Sequence, residues 1–120
     1  MIKLVRLDYR LLHGQVVFSW TGHVGAQRII VVDDDAANDE MKKSALLLSK
    51  PAGVRVNIFT VDKAIAKMPK VEQLDEKIMM IFGNTAALLK FCQAYPKIKE
   101  INYGAVANKP GSKAFDQSVF

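Results

Sequence analysis

Five short apolar runs rich in Val and Ile, spaced by stretches of helical periodicity, constrain this chain more than any other feature. The runs are Ile2 to Leu7, Arg28 to Val32, Val54 to Phe59, Lys77 to Phe82 and Ile98 to Tyr103, and each reads as a strand. Between them, Val17, Trp20 and Val24 sit at i, i+3, i+7. Met41, Ala45 and Leu48 sit at i, i+4, i+7, as do Leu88, Cys92 and Tyr95, all spacings that make one helix face apolar. Punctuation agrees: Gly22 and Gly25 close the first helix, Pro51-Ala52-Gly53 the second, Pro69 a short third and Pro96 the fourth. Capping residues are expected at Asp35 or Asn38, at Thr60, and at Asn84 or Thr85.

Strict strand-helix alternation means right-handed crossovers between parallel strands. The expected fold is α/β: an open, mainly parallel sheet with helices on both faces, formed by residues 1–120 as one domain. A strand order of 3-2-1-4 sets the fourth strand beside the first. Ligands of such sheets lie beyond the carboxyl ends of the strands, which directs attention to the loops at 8–14, 33–39, 60, 83–85 and 104–112.

The 120 residues are enough to bury a core without disulfides or a structural metal. The single cysteine, Cys92, has no partner within the chain, and a reducing, cytoplasmic setting suits it. The longest clean apolar run, Ile78-Met79-Met80-Ile81-Phe82, falls far short of the roughly 18 residues of a membrane span. The early charges Lys3 and Arg6 do not fit a signal peptide.

The loop after the first strand is the most informative passage. Within a few residues it gathers Arg6, Asp8, Arg10 and His13, one of only two histidines, just before Gly14 and a helix opening near Gln15. Unpaired N–H groups and the dipole at a helix start favour an anion and disfavour a protonated imidazole. A neutral imidazole is a nucleophile near physiological pH, and a phosphoryl group delivered to it would meet backbone donors and an arginine. Gly14 leaves room for a bulky partner group, and Asp8 would orient an arginine or the second imidazole nitrogen. The plainer alternative is a surface loop in which Arg6 faces solvent and Asp8 and Arg10 bridge weakly.

The run Arg6-Leu7-Asp8-Tyr9-Arg10-Leu11-Leu12-His13-Gly14-Gln15-Val16, followed by Trp20, resembles the active-site signature of the IIB component of the mannose/fructose/sorbose family of the phosphoenolpyruvate-dependent sugar phosphotransferase system. The likeness continues through Arg28-Ile29-Ile30-Val31-Val32-Asp33-Asp34, Phe82-Gly83-Asn84-Thr85, and Ile101-Asn102-Tyr103-Gly104 with Lys109-Pro110-Gly111-Ser112-Lys113. Tyr9 departs from the small or acidic residue more usual there, and Ala105 from a second glycine. Members of the family usually continue beyond a position like Phe120, so the resemblance implies a chain lacking the usual C-terminal elements.

The resemblance implies that His13 accepts a phosphoryl group from a phosphohistidine on a IIA component and passes it to a sugar bound by membrane IIC and IID components. Peripheral association with that permease is then expected. Arg10 is the expected charge partner and Asp8 an orienting residue. Gly14, Gln15, Arg6 and the loop Gly83-Asn84-Thr85 are the expected phosphate contacts, the last also reading as a plain helix-capping turn. A basic rim of Arg6, Arg10, Lys109 and Lys113 would attract acidic or phosphorylated partners. No cofactor and no metal are expected. The alternative is a regulatory or ligand-binding α/β module that retains the histidine loop without transport. Oligomeric state stays open, a homo-oligomer included.

Competing chemistries fail on particular residues. A net charge of +5 and a pI near 9.4 fit nucleic-acid binding. Yet five acids fall within 33–40 and the basic residues are not interleaved with aromatic ones, so no nucleic acid is expected. The first loop lacks both G-x-G-x-x-G and G-x-x-x-x-G-K-[ST]. His13 and His23 are ten apart with no third imidazole, which does not make a metal site. Asp33-Asp34-Asp35 reads as a strand-to-helix turn. His23 reads as structural, Cys92 as a buried thiol and Trp20 as core.

Overall fold

The computed structural model describes the backbone of residues 2–13, 15–98 and 101–103, and the side chains of 2–12, 18–98 and 101. Strands β1 (Ile2–Leu7), β2 (Arg28–Val32), β3 (Arg55–Phe59), β4 (Ile78–Phe82) and β5 (Asn102–Tyr103) alternate with helices α1 (Gln15–Val24), α2 (Asp34–Ala37), α3 (Glu40–Leu48), α4 (Val61–Val71) and α5 (Thr85–Ala94). All strand pairings are parallel, and the sheet runs β3-β2-β4-β1-β5. The expected α/β architecture with helices on both faces is therefore present, but not the expected strand order. β4 stands between β2 and β1, so β1 and β2 do not touch. The reason is visible in β4 itself: all five of its residues are buried, and only a central strand covered on both faces uses so continuous an apolar run. β3, carrying Arg55 and Asn57, takes an edge.

Period-two alternation sorts the side chains into two cores. Val5, Leu7, Ile30, Val32, Ile78, Met80 and Phe82 pack under α4 and α5, where Met68, Leu88 and Phe91 meet them. Ile29, Val31, Met79 and Ile81 pack on the opposite face with Leu11, Leu12, Ala36 and Leu46, and with half-buried Trp20 and Val24 of α1. Each large apolar side chain so buried contributes about 1.5–3 kcal/mol.

Several element boundaries differ from expectation. α4 continues through Pro69 to Val71 instead of ending there. Burying Met68 and Val71 offsets the roughly 3 kcal/mol that an interior proline costs. The caps of α2 and α3 are Asp33 and Asp39, not Asp35 or Asn38. Thr60 and Asn84 do cap, accepting the N–H groups of Lys63 and Ala87. Gly22 lies within α1, and Gly25, at φ +69°, follows its end.

α3 shows the sharpest difference. The apolar spacing Met41, Ala45, Leu48 is not its buried face, since Met41 is 83% and Leu48 89% exposed while Leu46 is 1% exposed. The helix is anchored through a single leucine.

Register brings the functional edge together. Leu7 and Val32 both pair with Phe82, Val32 pairs with Phe59, and Leu7 with Tyr103, so the strands end level. The ladder extends one residue further. Asp8 N–H donates to Phe82 O at 2.9 Å, Gly83 N–H to Val32 O at 3.3 Å, and Asp33 N–H to Phe59 O at 3.0 Å. Asp8, Gly83 and Asp33 thus stand side by side at the carboxyl edge, where chains leave β1 and β4 towards opposite faces.

Candidate active site

β1 delivers a fully buried carboxylate, Asp8, to this edge. A charge so placed survives only if paired and hydrogen-bonded, and two guanidiniums supply both conditions. Asp8 Oδ1 accepts the Arg10 backbone N–H at 3.0 Å and its Nε at 3.1 Å. Oδ2 accepts Arg10 Nη2 at 3.1 Å, with Arg6 Nη2 at 3.3 Å and Nε at 3.4 Å. Burial alone would push the Asp8 carboxyl up. The hydrogen bonds from Arg10 and the charges of Arg10 and Arg6 outweigh it and hold the group below its ordinary range. Arg6 is buried with Asp8, so it does not face solvent, while the Arg10 side chain is 37% exposed. The cluster leaves Arg10 as the cation that projects from the loop.

The chain then turns tightly. Leu11 N–H donates to Asp8 O at 3.1 Å, and Leu11 adopts φ +52°, a left-handed conformation costing about 1–2 kcal/mol for a residue with a Cβ. Burial of Leu11 and Leu12 in the α1/α3 core holds that turn in place. A single 3-10 turn, Leu11–His13, follows, and α1 opens at Gln15. His13 therefore stands two residues before the ten-residue helix α1, on the side where backbone N–H groups and the dipole favour anions. The side chains of His13 and Gln15, and Gly14, Lys109 and Lys113 entirely, lie outside the described residues.

On the neighbouring strand, Gly83 differs from the expected phosphate donor. Its N–H is engaged by Val32 O. Its missing side chain is a packing requirement, because a Cβ there would lie 2.5 Å from Asp33 Oδ1 and 3.3 Å from a Leu11 methyl. The exposed Asn84 uses its side chain to cap α5 at Ala87 N, 2.8 Å away. Thr85 is half-buried in the first turn of that helix.

Asp33 itself, taken from the sequence only as part of a turn, touches both loops. Its Oδ2 accepts Ala36 N–H at 3.0 Å. Burial, with repulsion from Asp35 and Asp34, pushes its carboxyl above the ordinary range despite the Ala36 bond and Lys42. Asp34 reaches across to accept Val61 N–H at 2.8 Å, tying α2 to the start of α4.

A cavity of about 450 Å³ opens beside the loop, lined by Tyr9, Arg10, Asp33, Asp35, Lys42 and Leu46 among others. Lys42 pairs with Asp35 at its rim. Sequence reasoning missed this wall. Its signal was the acid run Asp33-Asp34-Asp35 with a lysine seven residues on, legible only once α2 and α3 fold against each other.

Residues read as structural lie apart from this edge. Trp20 is half-buried and meets exposed His23 edge-on at 5.5 Å. Cys92 is half-buried on α5, where burial pushes its thiol up. Among the described residues no three His, Cys, Asp or Glu side chains gather as metal ligands.

Residues 2–119 match the family described as the PTS system sorbose subfamily IIB component. The chain is 36% identical over 118 residues to the PTS system sorbose-specific EIIB component of Klebsiella pneumoniae, covering 98% of this chain and 72% of that protein. It is 33% identical to the mannose-specific EIIAB component of Escherichia coli K12, covering 99% of this chain and 37% of that longer protein. The crystal structure of the IIBSor domain of the Klebsiella pneumoniae sorbose permease superposes with a TM-score of 0.82 at 35% identity, covering 99% of this chain and 73% of that one. The structure of manxB from Thermoanaerobacter tengcongensis gives 0.82 at 33% identity, covering 99% and 72%.

Proposed function

Because the chain belongs to the sorbose subfamily of phosphotransferase-system IIB components, we propose that it carries a phosphoryl group on His13, taken from the phosphohistidine of a IIA component and given to a sugar. As a IIB component it is a sugar phosphotransferase that works with other components of the system. The observation that best supports the finer reading is the Asp8–Arg10 clamp next to the turn that ends at His13.

In the first transfer a lone pair on the neutral His13 ring attacks phosphorus, and the donor N–P bond breaks with its electron pair returning to the donor imidazole. In the second, a sugar hydroxyl oxygen attacks, the N–P bond to His13 breaks, and the hydroxyl proton passes to a base. Charge spreads over the phosphoryl oxygens in both, so alignment and fixed positive charge matter more than covalent activation.

Arg10 supplies that charge on this reading. Pinned at its backbone N–H and along the Nε/Nη2 edge of its guanidinium, it loses little freedom when a phosphoryl group arrives. Asp8 is a positioning residue on this reading: among the described residues its oxygens accept from Arg6 and Arg10, which supports its role in orienting an arginine. The first N–H groups of α1 complete the cradle.

The proposed partners are a IIA carrier and the membrane IIC and IID components, with the protein itself acting from the cytoplasm. No helix among the described residues is long and apolar enough to cross a membrane.

The test is intact mass spectrometry at neutral to alkaline pH after incubation with phosphoenolpyruvate, the general phosphotransfer proteins and a IIA partner. One added phosphoryl group is expected, absent in His13→Ala. Undiminished labelling of that variant would remove His13 from its role.

A further inference from the structure

On the sheet face opposite the Arg10 loop, a second cavity of about 360 Å³ opens between the edge strand β3 and helix α4. Its size lies within the range of small-molecule sites, roughly 300–1,000 Å³. The alternation of β3 turns Val56 and Ile58 into the α1/α3 core, and sends Asn57 and Phe59 to this other face. A polar amide in mid-strand is out of keeping with a helix-covered face. Asn57 Oδ1 accepts from the Arg28 guanidinium, which is held in place by Glu76 at 2.8 Å.

Across the cavity stand Lys63, Lys67 and Lys70, at i, i+4 and i+7 of α4. The Lys63 ammonium lies 5.4 Å from the centre of the Phe59 ring. Of the other described lysines, Lys42 pairs with Asp35, Lys43 with Glu40, Lys90 with Asp62 and Lys97 with Glu72, while Lys3, Lys50 and Lys77 stand singly and not as a row on one helix. Among the described residues Lys63, Lys67 and Lys70 meet no carboxylate, and no carboxylate lines the cavity. Like charges at these helical spacings repel each other. A face that only needed solvation would intersperse acids. Here the repulsion is concentrated over a concave wall, which focuses a positive potential into it.

We propose that this cavity is a binding site for a small organic phosphate with a hydroxylated body. Its phosphate oxygens take charge-assisted hydrogen bonds from Lys63, Lys67 and Lys70. Asn57 and Arg28 offer the amide and guanidinium for hydroxyl groups, and Val71 and Leu74 an apolar wall for its C–H face. Concavity favours a compact ligand over an extended anionic surface, which would meet the lysines only from outside. The proposal is independent of His13, since it concerns the unphosphorylated chain and a different face of the sheet.

The experiment is two-dimensional amide NMR of the 120-residue chain titrated separately with a hexose 6-phosphate, the free hexose, inorganic phosphate, and phosphatidylglycerol vesicles. The hexose phosphate should shift the amides of Asn57, Phe59, Lys63 and Lys67 saturably and leave Asp8 to Leu12 unmoved. The free hexose should shift nothing. Lys67→Gln/Lys70→Gln, a surface change whose fold the same spectrum checks, should raise the dissociation constant by about tenfold or more. Asn57→Ala should weaken the hexose phosphate but not inorganic phosphate. The proposal is overturned by no saturable shift at millimolar ligand, by inorganic phosphate binding as tightly as the hexose phosphate, by shifts with vesicles only, or by unchanged binding in the lysine variant.

Discussion

Arg10 is fastened to Asp8 by its own backbone as well as its side chain: the N–H at 3.0 Å, Nε at 3.1 Å and Nη2 at 3.1 Å all end on one buried carboxylate. Two residues apart, the pair makes the loop conformation and the direction of the guanidinium a single property. The carboxylate also neutralises Arg6 beneath it.

Asp8→Asn should therefore be severe. It removes the charge from the buried carboxylate that Arg6 and Arg10 share, a change of about 3–5 kcal/mol for breaking a buried pair. Urea unfolding at pH 7 measures it, and a loss below 1 kcal/mol would contradict the assignment. The pH dependence has a definite sign. The folded-state pKa of Asp8 lies below the ordinary 3.8, so its stabilisation is present above that value and is lost as pH falls through the folded value. The stability gap between Asp8→Asn and the parent should be full at pH 7 and shrink in acid below 3.8.

Arg10→Ala separates chemistry from folding. The side chain is more than a third exposed, and the variant keeps the Asp8 bonds from Arg6 and from the backbone N–H of residue 10, so stability should fall by less than in Asp8→Asn. Removing the projecting Arg10 guanidinium should slow phosphoryl transfer from IIA by about a hundredfold. Rapid-quench kinetics checks it, and a parental rate would show that another group supplies the charge.

Gly83→Ala tests a packing role against a phosphate-contact role. The new methyl would press on Asp33 Oδ1, a clash of about 1–3 kcal/mol. Asp33→Ala alone loses the α2 cap, about 1 kcal/mol. The double variant should lose less than the sum of the two, by at least about 0.5 kcal/mol. Strict additivity in thermal or urea unfolding would show that the two side chains do not compete for that space.

α3 offers a contrast on neighbouring residues. Leu46→Ala should cost about 2–5 kcal/mol, whereas Leu48→Ser and Met41→Ser should stay within about 0.5 kcal/mol. If Leu48→Ser proved as damaging as Leu46→Ala in the same unfolding assay, the helix would be packed on its other side.

Much of this protein is written locally. The short apolar runs Ile2–Leu7 and Arg28–Val32, and the punctuation after Phe82, depend only on backbone sterics and neighbours a few residues away, so the alternation of strand and helix was legible without coordinates. So was the crowding of Arg6, Asp8, Arg10 and His13 around the end of one strand and just before one helix. Strand order was not, because β4 wins the centre by a comparison among strands that no single segment contains. Nor was the distribution of partners. Asp8 could have faced solvent, an imidazole or an arginine, and only its depth at the edge of the sheet makes two guanidiniums necessary. The same holds for Gly83, whose neighbour Asp33 is fifty residues away, and for Met41 and Leu48, whose apolar spacing promised a buried face. Burial and charge compensation are set by what other segments bring to the same place, and that information enters only when the sheet closes.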